Sequence, residues 1–131
     1  MKKLLAYFLL GLMAVSCQES LEDRAARELK EYTEKNCPTP VVNDQQMDSA
    51  SFERESRTLR FYYKLYDKSD SKALFAQHGK DIRNQILNEL KNSTSTKSYK
   101  DAGFNYRYTY RSASNPNTIL LDVKFTSKDY K

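Results

Sequence analysis

The sequence predicts an α+β fold, a two-layer domain in which an antiparallel four-stranded sheet carries helices on one face, in the order α-β-β-α-β-β. Apolar residues recur at helical spacing over residues 19–36 and 71–92, and they alternate with polar residues at strand spacing within residues 47–66 and 104–127. Two hairpins separated by a helix are typical of one antiparallel sheet. The chain has 131 residues, 39% of them hydrophobic, which suits one modest core, so we predict a single domain over residues 17–131.

The first element is a helix over residues 19–36. Asn36 and Pro38 end it, and acidic side chains stand near its positively polarised start. Its polar face is mixed and not basic, so we interpret it as an amphipathic helix packed on its own domain, and not as a stalk or a membrane-surface helix. The apolar face repeats at i, i+4, i+8 and i+11, at Leu21, Ala25, Leu29 and Tyr32.

Residues 47–66 form the first predicted hairpin. Its first strand is weak, with Ala50 and Phe52 on one face, and residues 54–56 are a polar turn. The second strand, residues 57–66, alternates strictly between two faces, as a half-buried strand does. The predicted inner face carries Leu59, Phe61, Tyr63 and Leu65, and the outer face carries Arg60, Tyr62, Lys64 and Tyr66.

The second helix covers residues 71–92, and either Asp70 or Ser71 caps its first turn. Gly79 interrupts the helix, which marks a kink or a close approach of another backbone. We expect His78 to be a packed imidazole, because it lies on the apolar stripe of the helix. That stripe repeats every four residues, at Leu74, His78, Ile82, Ile86 and Leu90.

Residues 104–127 form the second predicted hairpin, with turn chemistry at residues 115–117. The preceding residues, 92–98, are a loop rich in Ser and Thr. On the inner face, the first strand of this hairpin carries a row of aromatic rings and the second a row of apolar side chains: Phe104, Tyr106, Tyr108 and Tyr110, then Ile119, Leu121, Val123 and Phe125.

Residues 1–16 have the composition of a secretory signal peptide. A short cationic start, Met1 to Lys3, precedes an apolar run over residues 4–15 and a small residue, Ser16. The run is too short for a transmembrane helix, which needs about 20 apolar residues. We therefore predict that the chain is exported.

The end of this segment, residues 12–17, resembles the lipobox of bacterial lipoproteins, in which a cysteine directly follows a small residue. The resemblance implies that Cys17 receives a diacylglycerol on its sulfur, that the signal is cut before it, and that the new amine is fatty-acylated. Gln18 stands where an aspartate would retain the protein in the inner membrane, which implies the outer membrane, on its periplasmic or cell-surface side. The lipid, and not the polypeptide, would hold the protein on the bilayer.

The mature part of the chain, residues 36–130, also resembles a loose group of small exported bacterial proteins of unknown activity. The group supplies no catalytic or binding residue to carry over. The matching features are mostly strand and turn residues: the Cys37-Pro38 step, residues 47–50 and 59–63, Ala102-Gly103, residues 106–108 and residues 127–130.

The sequence predicts no catalytic site, no cofactor and no metal site. One histidine and two cysteines are too few for a histidine-based triad or a structural zinc site. The chain contains no phosphate-binding loop, dinucleotide motif or nucleophile elbow. Because no histidine neighbours it in sequence, we interpret Cys37 as a small buried hydrophobe and not as a nucleophile. We therefore expect a protein that is not an enzyme.

Basic charge is concentrated in the later part of the chain. Residues 17–56 contain 5 basic and 10 acidic residues, whereas residues 57–131 contain 15 basic and 7 acidic residues. A basic, tyrosine-rich outer sheet face suits a protein or an anionic glycan through Coulomb attraction and cation–π contact. The alternative is a solvated face whose charges prevent aggregation. The candidate partner-binding residues are Arg60, Tyr62, Lys64, Tyr66, Arg107 and Arg111.

Taken with the signal segment, these observations predict a lipid-anchored envelope protein that binds an unknown protein or anionic glycan without catalysis. Nucleic acid is not expected as a partner at this location. The alternative function is that of a membrane-tethered inhibitor or immunity protein, which would block a toxin or a lysozyme. An enzyme would instead show turnover in a soluble fragment that lacks Cys17.

Overall fold

The computed structural model describes residues 19–131. The predicted signal peptide, residues 1–16, and the predicted lipidation site at Cys17 lie outside the described residues. Between residues 19 and 131, no helix is both long enough and apolar enough to cross a membrane. The elements are α1 (Leu21–Asn36), β1 (Gln45–Glu53), β2 (Thr58–Leu65), a short 3-10 turn (Asp67–Ser69), α2 (Lys72–Asn92), α3 (Lys97–Asp101), β3 (Asn105–Ser112), β4 (Ile119–Phe125) and α4 (Ser127–Tyr130).

Serine side chains cap the first turns of both long helices. Ser20 Oγ accepts the Asp23 N–H of α1 at 3.1 Å, and Ser71 Oγ accepts the Leu74 N–H of α2 at 3.2 Å. Ser71 is thus the cap of α2. This helix continues through Gly79, where an added Cβ would meet nothing within 4 Å. The sequence suggests a close approach of another backbone as one reason for Gly79. Within the described residues, no other backbone approaches it closely.

The α+β class is confirmed, but the prediction that the whole sheet is antiparallel is wrong. Over residues 19–131 the four strands are ordered β1-β2-β3-β4, with antiparallel outer pairs. The central pair is parallel and runs from Thr58 opposite Asn105 to Leu65 opposite Ser112. The physical reason is the connection: the 21-residue α2 carries the chain back along the sheet, so β3 starts at the same end as β2.

Both long helices pack on the inner face of the sheet, over opposite sides of it. α1 contacts β1, whereas α2 contacts β4. The central strands are therefore the least covered part of this face. Apolar residues from both helices and from three strands form the core: Ala25, Ile86, Leu90, Leu59, Leu65, Tyr106, Tyr110, Val123 and Phe125.

The prediction that Ile119 points into the core is wrong, because β4 contains a bulge. Leu121 lies opposite Tyr110 and Ile119 opposite Arg111, so Leu120 is an extra residue without a partner. The extra residue reverses the alternation of side chains at the start of the strand. Ile119 consequently lies on the outer face and is 50% exposed.

Threonine hydroxyls occupy the free edge of β1. Thr33 Oγ1 donates to the Ala50 carbonyl at 2.8 Å and accepts the Ala50 N–H at 2.9 Å. Thr39 contributes similarly, because its hydroxyl accepts the Met47 N–H at 2.9 Å and its own N–H donates to the Met47 carbonyl at 3.0 Å. These contacts position α1 and satisfy backbone groups that would otherwise be open to another strand.

The short helices α3 and α4, which the sequence pattern does not indicate, close the end of the core. Lys100 Nζ in α3 donates to the carbonyls of Leu90 and Ser93 at 2.7 and 2.8 Å, at the C-terminus of α2. Tyr130 in α4 is buried, and its hydroxyl donates to the Phe104 carbonyl at 2.7 Å. These side-chain contacts hold the two helices against α2 and the start of β3.

Candidate functional site

A groove lies on the inner face of the sheet, between α2 and the central strands. Its cavity volume is about 700 Å³, and it adjoins a smaller hollow of about 440 Å³ next to Tyr32 and Asn36 of α1. The two share Asn43, Gln45 and Tyr63 in their linings. The groove exists because α1 and α2 cover opposite sides of the sheet and leave β2 and β3 open between them.

Stacked aromatic rings form the floor of the groove. The Phe61 and Tyr108 ring centroids are 5.2 Å apart, and the Tyr63 and Tyr110 centroids are 4.8 Å apart, with interplanar angles of 17° and 12°. The parallel register of β2 and β3 places these residues directly opposite each other. The stacks give the groove an aromatic floor in which three of the four rings carry a hydroxyl group.

Three phenol hydroxyls on this floor have no protein partner among residues 19–131. They belong to Tyr63, Tyr108 and Tyr110, all of which line the groove, and Tyr110 is only 9% exposed. Burial raises the pKa of all three phenols, that of Tyr63 to about 12. Tyr130 is different, because its hydroxyl donates to a backbone carbonyl. The groove therefore presents hydrogen-bonding groups that the described fold does not use.

The wall of the groove that α2 forms carries acidic groups. Asp81 and Glu89 are exposed and line the cavity, and neither forms an ion pair with another described residue. Glu89 lines the same groove as the three floor tyrosines. His78 lies on the same wall and is exposed, so the expectation of a packed imidazole is wrong. The reason is that the apolar stripe of α2 faces the groove opening at this turn.

The predicted partner-binding residues lie on the opposite, outer face of the sheet. Arg60, Tyr62 and Lys64 alternate along β2 with the core residues, and the parallel register sets Arg107 beside Arg60 and Arg111 beside Lys64. Tyr66 follows the end of β2, and its hydroxyl donates to Gln46 Oε1 at 2.8 Å. The sheet thus brings the six residues to one face.

Most of the charges on this outer face are paired within the protein. Arg60 Nη1 donates to Glu53 Oε1 at 2.8 Å, and its guanidinium lies 4.9 Å from the Tyr62 ring centre. Arg107 donates to both carboxylate oxygens of Asp122, at 3.0 and 2.6 Å, and this holds the pKa of Asp122 below its usual value. The positive potential available to a ligand is therefore smaller than the number of basic residues suggests.

Sequence reasoning does not identify the groove, although it places the floor residues on the inner face. The strand alternation indicates that Phe61, Tyr63, Tyr108 and Tyr110 point inward. It does not show that they are neighbours, because that depends on the parallel pairing of β2 and β3. The signal that the sequence does carry is the excess of inner tyrosines, since phenols need a hydrogen-bond partner when they are buried.

Two further predictions concern the thiol and metal ligands. Cys37 is half-buried, and burial raises the pKa of its thiol, which lowers its reactivity at neutral pH. Within residues 19–131, no three His, Cys, Asp or Glu side chains come together in a way that could hold a metal ion.

Comparison with known families and structures gives a family and a fold. A family model described as "Domain of unknown function (DUF8479)" matches residues 20–121. Comparison with curated proteins gave no match.

Solved structures with the same fold include one protein described as secreted and two pilotins. The first, from Pseudomonas aeruginosa, has a TM-score of 0.66 and 11% identity over 87% of this chain and 100% of its own. The pilotin EpsS of the Vibrio vulnificus type II secretion system has a TM-score of 0.64 and 13% identity over 85% and 92%. The pilotin AspS of the Vibrio cholerae type II secretion system has a TM-score of 0.61 and 14% identity over 83% and 91%. At these identities the likeness shows a shared fold alone.

Proposed function

We propose that this chain, which belongs to the DUF8479 family of domains of unknown function, is a lipid-anchored envelope protein that binds a protein partner and does not catalyse a reaction. The partner site is the groove between α2 and the central strands. The observation that carries this proposal is an open aromatic floor with three phenol hydroxyls that the described residues leave without a partner.

The lipid anchor rests on the sequence around Cys17. A diacylglycerol and an amide-linked acyl chain bury enough methylene groups to hold a protein firmly on a bilayer, whereas a single chain does so only marginally. Mass spectrometry of the native protein should show fatty acyl mass on an amino-terminal Cys17, and Cys17→Ala should leave an uncleaved precursor. A bare amino terminus on the native product would contradict the anchor.

The groove suits a segment of another protein better than a small substrate. It is a long cleft along α2, with apolar residues on both wall and floor and polar groups along its rim. An amphipathic peptide could bury its apolar side chains on the floor and keep its polar side toward solvent. Two proteins with this fold are pilotins of type II secretion systems, so we further propose that the partner is a component of an envelope assembly.

The outer face, defined by Arg60, Tyr62, Lys64, Tyr66, Arg107 and Arg111, is the competing partner site. Charged side chains there pair with Glu53, Asp48 and Asp122, so a partner would have to break existing ion pairs or bind beside them. The phenols of the groove need no such exchange. We therefore favour the groove.

A pair of variants on α2 tests which surface binds. Gln85 is exposed and lines the groove, whereas Gln77 is exposed on the same helix and does not. Gln85→Trp should fill part of the groove and reduce capture of the partner from intact cells at least tenfold, while Gln77→Trp should leave capture unchanged. Thermal unfolding of both variants checks that the fold is intact.

Charge reversal on the outer face tests whether that face, and not the groove, binds the partner. Lys64→Glu with Arg111→Glu is preferable to any change at Arg60, whose side chain is only 12% exposed and lies against Glu53. If this double variant loses the partner and Gln85→Trp keeps it, the outer face is the binding site and the groove proposal is wrong. Capture of a single toxin or lysozyme would instead support the inhibitor function.

A further inference from the structure

We propose that Glu89 and the phenols of Tyr63, Tyr108 and Tyr110 form a subsite within the groove that binds the cationic side chain of a lysine or arginine from the partner. This inference rests on the proposed function, because it assumes that the groove is the partner site. It adds the chemistry by which one residue of the partner is recognised.

The first support is the charge of the groove lining. The protein as a whole carries a formal charge of +5, with 22 basic residues. Nineteen residues line the groove, and they include two carboxylates, Asp81 and Glu89, but no lysine and no arginine. Apart from His78, the ionisable side chains of the lining that carry charge are thus acidic, which makes the cleft complementary to a cation from another molecule.

The second support is the lack of an ion-pair partner for the Glu89 carboxylate within the described residues. Several carboxylates outside the groove have cationic partners: Glu28 pairs with Arg24, and Asp129 lies 3.7 Å from Arg83. Glu89 has no such partner among residues 19–131, and it lines the groove together with all three floor tyrosines. Its negative charge therefore remains available to a cation that enters the groove.

The third support is the arrangement of the aromatic floor. The Tyr63–Tyr110 stack lies beside the Phe61–Tyr108 stack, so a flexible methylene stem can lie on the rings while its charged end reaches the rim. Phenol oxygens accept hydrogen bonds from ammonium or guanidinium N–H groups, and Tyr110 is buried to nine-tenths without a partner in the described part of the chain. A neutral apolar side chain would form no hydrogen bond with the phenols and no ion pair with the carboxylate.

Small probes with matched stems test the subsite directly. N-acetyl-arginine amide and N-acetyl-norleucine amide share an aliphatic stem and differ in the cationic end. Titrations followed by the NMR signals of tyrosine rings in the full mature chain should show saturable shifts for Tyr63, Tyr108 and Tyr110 with the arginine probe, and about tenfold weaker binding of the norleucine probe.

A matched pair of glutamate variants completes the test. Glu89→Gln should weaken the arginine probe about tenfold and leave the norleucine probe unchanged. Glu55→Gln, at an exposed turn away from the groove, should change neither affinity. Equal binding of the two probes, no saturable binding of the arginine probe, or an unchanged affinity in Glu89→Gln would overturn the inference.

The failure of this inference is distinguishable from the failure of the proposed function. If Gln85→Trp loses the captured partner while Glu89→Gln retains it fully, the groove is the partner site but the cation subsite is wrong. If neither variant affects capture, the groove itself is not the site.

Discussion

Thr33 links α1 to the sheet through hydrogen bonds of its side chain. Its hydroxyl bonds both the N–H and the C=O of Ala50 on the free edge of β1. Thr33→Val keeps the shape of the side chain but leaves both backbone groups without that partner, so we expect the free energy of unfolding to fall by about 1–3 kcal/mol. Urea denaturation measures it, with the exposed Thr94→Val as control. A change below about 0.5 kcal/mol, the usual effect of a surface substitution, would contradict this role.

The tyrosine hydroxyls of the inner face fall into two groups with different expected effects. Tyr130 donates to the Phe104 carbonyl at 2.7 Å, so Tyr130→Phe should destabilise the protein by about 1 kcal/mol. Tyr110 has no partner among the described residues, so Tyr110→Phe should leave stability within about 0.5 kcal/mol of the native value. Denaturation of the two variants side by side checks the difference. Equal losses would mean that the Tyr110 hydroxyl is used within the fold.

At the scale of the element, replacing either of two glycines by alanine should change the stability in opposite directions. Gly79 lies inside α2 with open space around it, so Gly79→Ala should stabilise the protein by about 0.5–1 kcal/mol. Gly103 precedes β3 with a φ of 78°, where an L-residue is strained, so Gly103→Ala should destabilise it by about 1 kcal/mol. Thermal unfolding measures both. A stabilising Gly103→Ala would contradict the left-handed conformation at that turn.

The sequence predicts the elements better than the way in which they pair. Strand alternation identifies the inner faces of β2 and β3, because the period of two is independent of the neighbouring strand. It cannot give the direction of β3 relative to β2, since a strand presents the same alternation in either direction. The parallel pairing follows from the path of α2 across the sheet, and that path depends on tertiary packing.

The errors at Ile119 and His78 also have local causes. The bulge at Leu120 reverses the alternation of β4, and no periodic pattern shows an unpaired residue. His78 has the correct helical spacing for the core, but the core does not extend under that part of α2. The groove that results is visible only when the positions of both long helices are known, so the site could not be predicted from the sequence.

At the scale of the whole molecule, the buried phenols predict that the protein unfolds in alkali. Burial raises the pKa of Tyr63 and Tyr99 to about 12, from an ordinary value of 10.0, and raises those of Tyr106, Tyr108 and Tyr110 further. The folded state therefore holds protons that the unfolded state releases, so their contribution to stability is fully present below about pH 10 and is lost as the pH rises above it.

Parallel records of phenolate absorbance and far-ultraviolet circular dichroism check this expectation. Several of the 10 tyrosines should ionise only together with the loss of helical signal. Ionisation of every phenol at its ordinary pKa, in a protein that remains folded, would contradict the burial of the aromatic floor and core.

The distribution of charge over the molecule favours the inner groove over the outer face as the partner site. The outer face pairs two of its arginines with its own carboxylates, Arg60 with Glu53 and Arg107 with Asp122. The inner groove keeps Asp81 and Glu89 unpaired with any described residue above an aromatic floor. A partner thus meets a largely satisfied surface on one side of the sheet and unsatisfied groups on the other.

Site-specific photocrosslinking in living cells tests the central claim most directly. A photoreactive phenylalanine derivative replaces Gln85 in the groove, Gln77 on α2 outside the groove lining, or Lys64 on the outer face. We expect one protein to crosslink from position 85 and not from positions 77 or 64. Crosslinking of that protein from position 64 with none from position 85 would contradict the account.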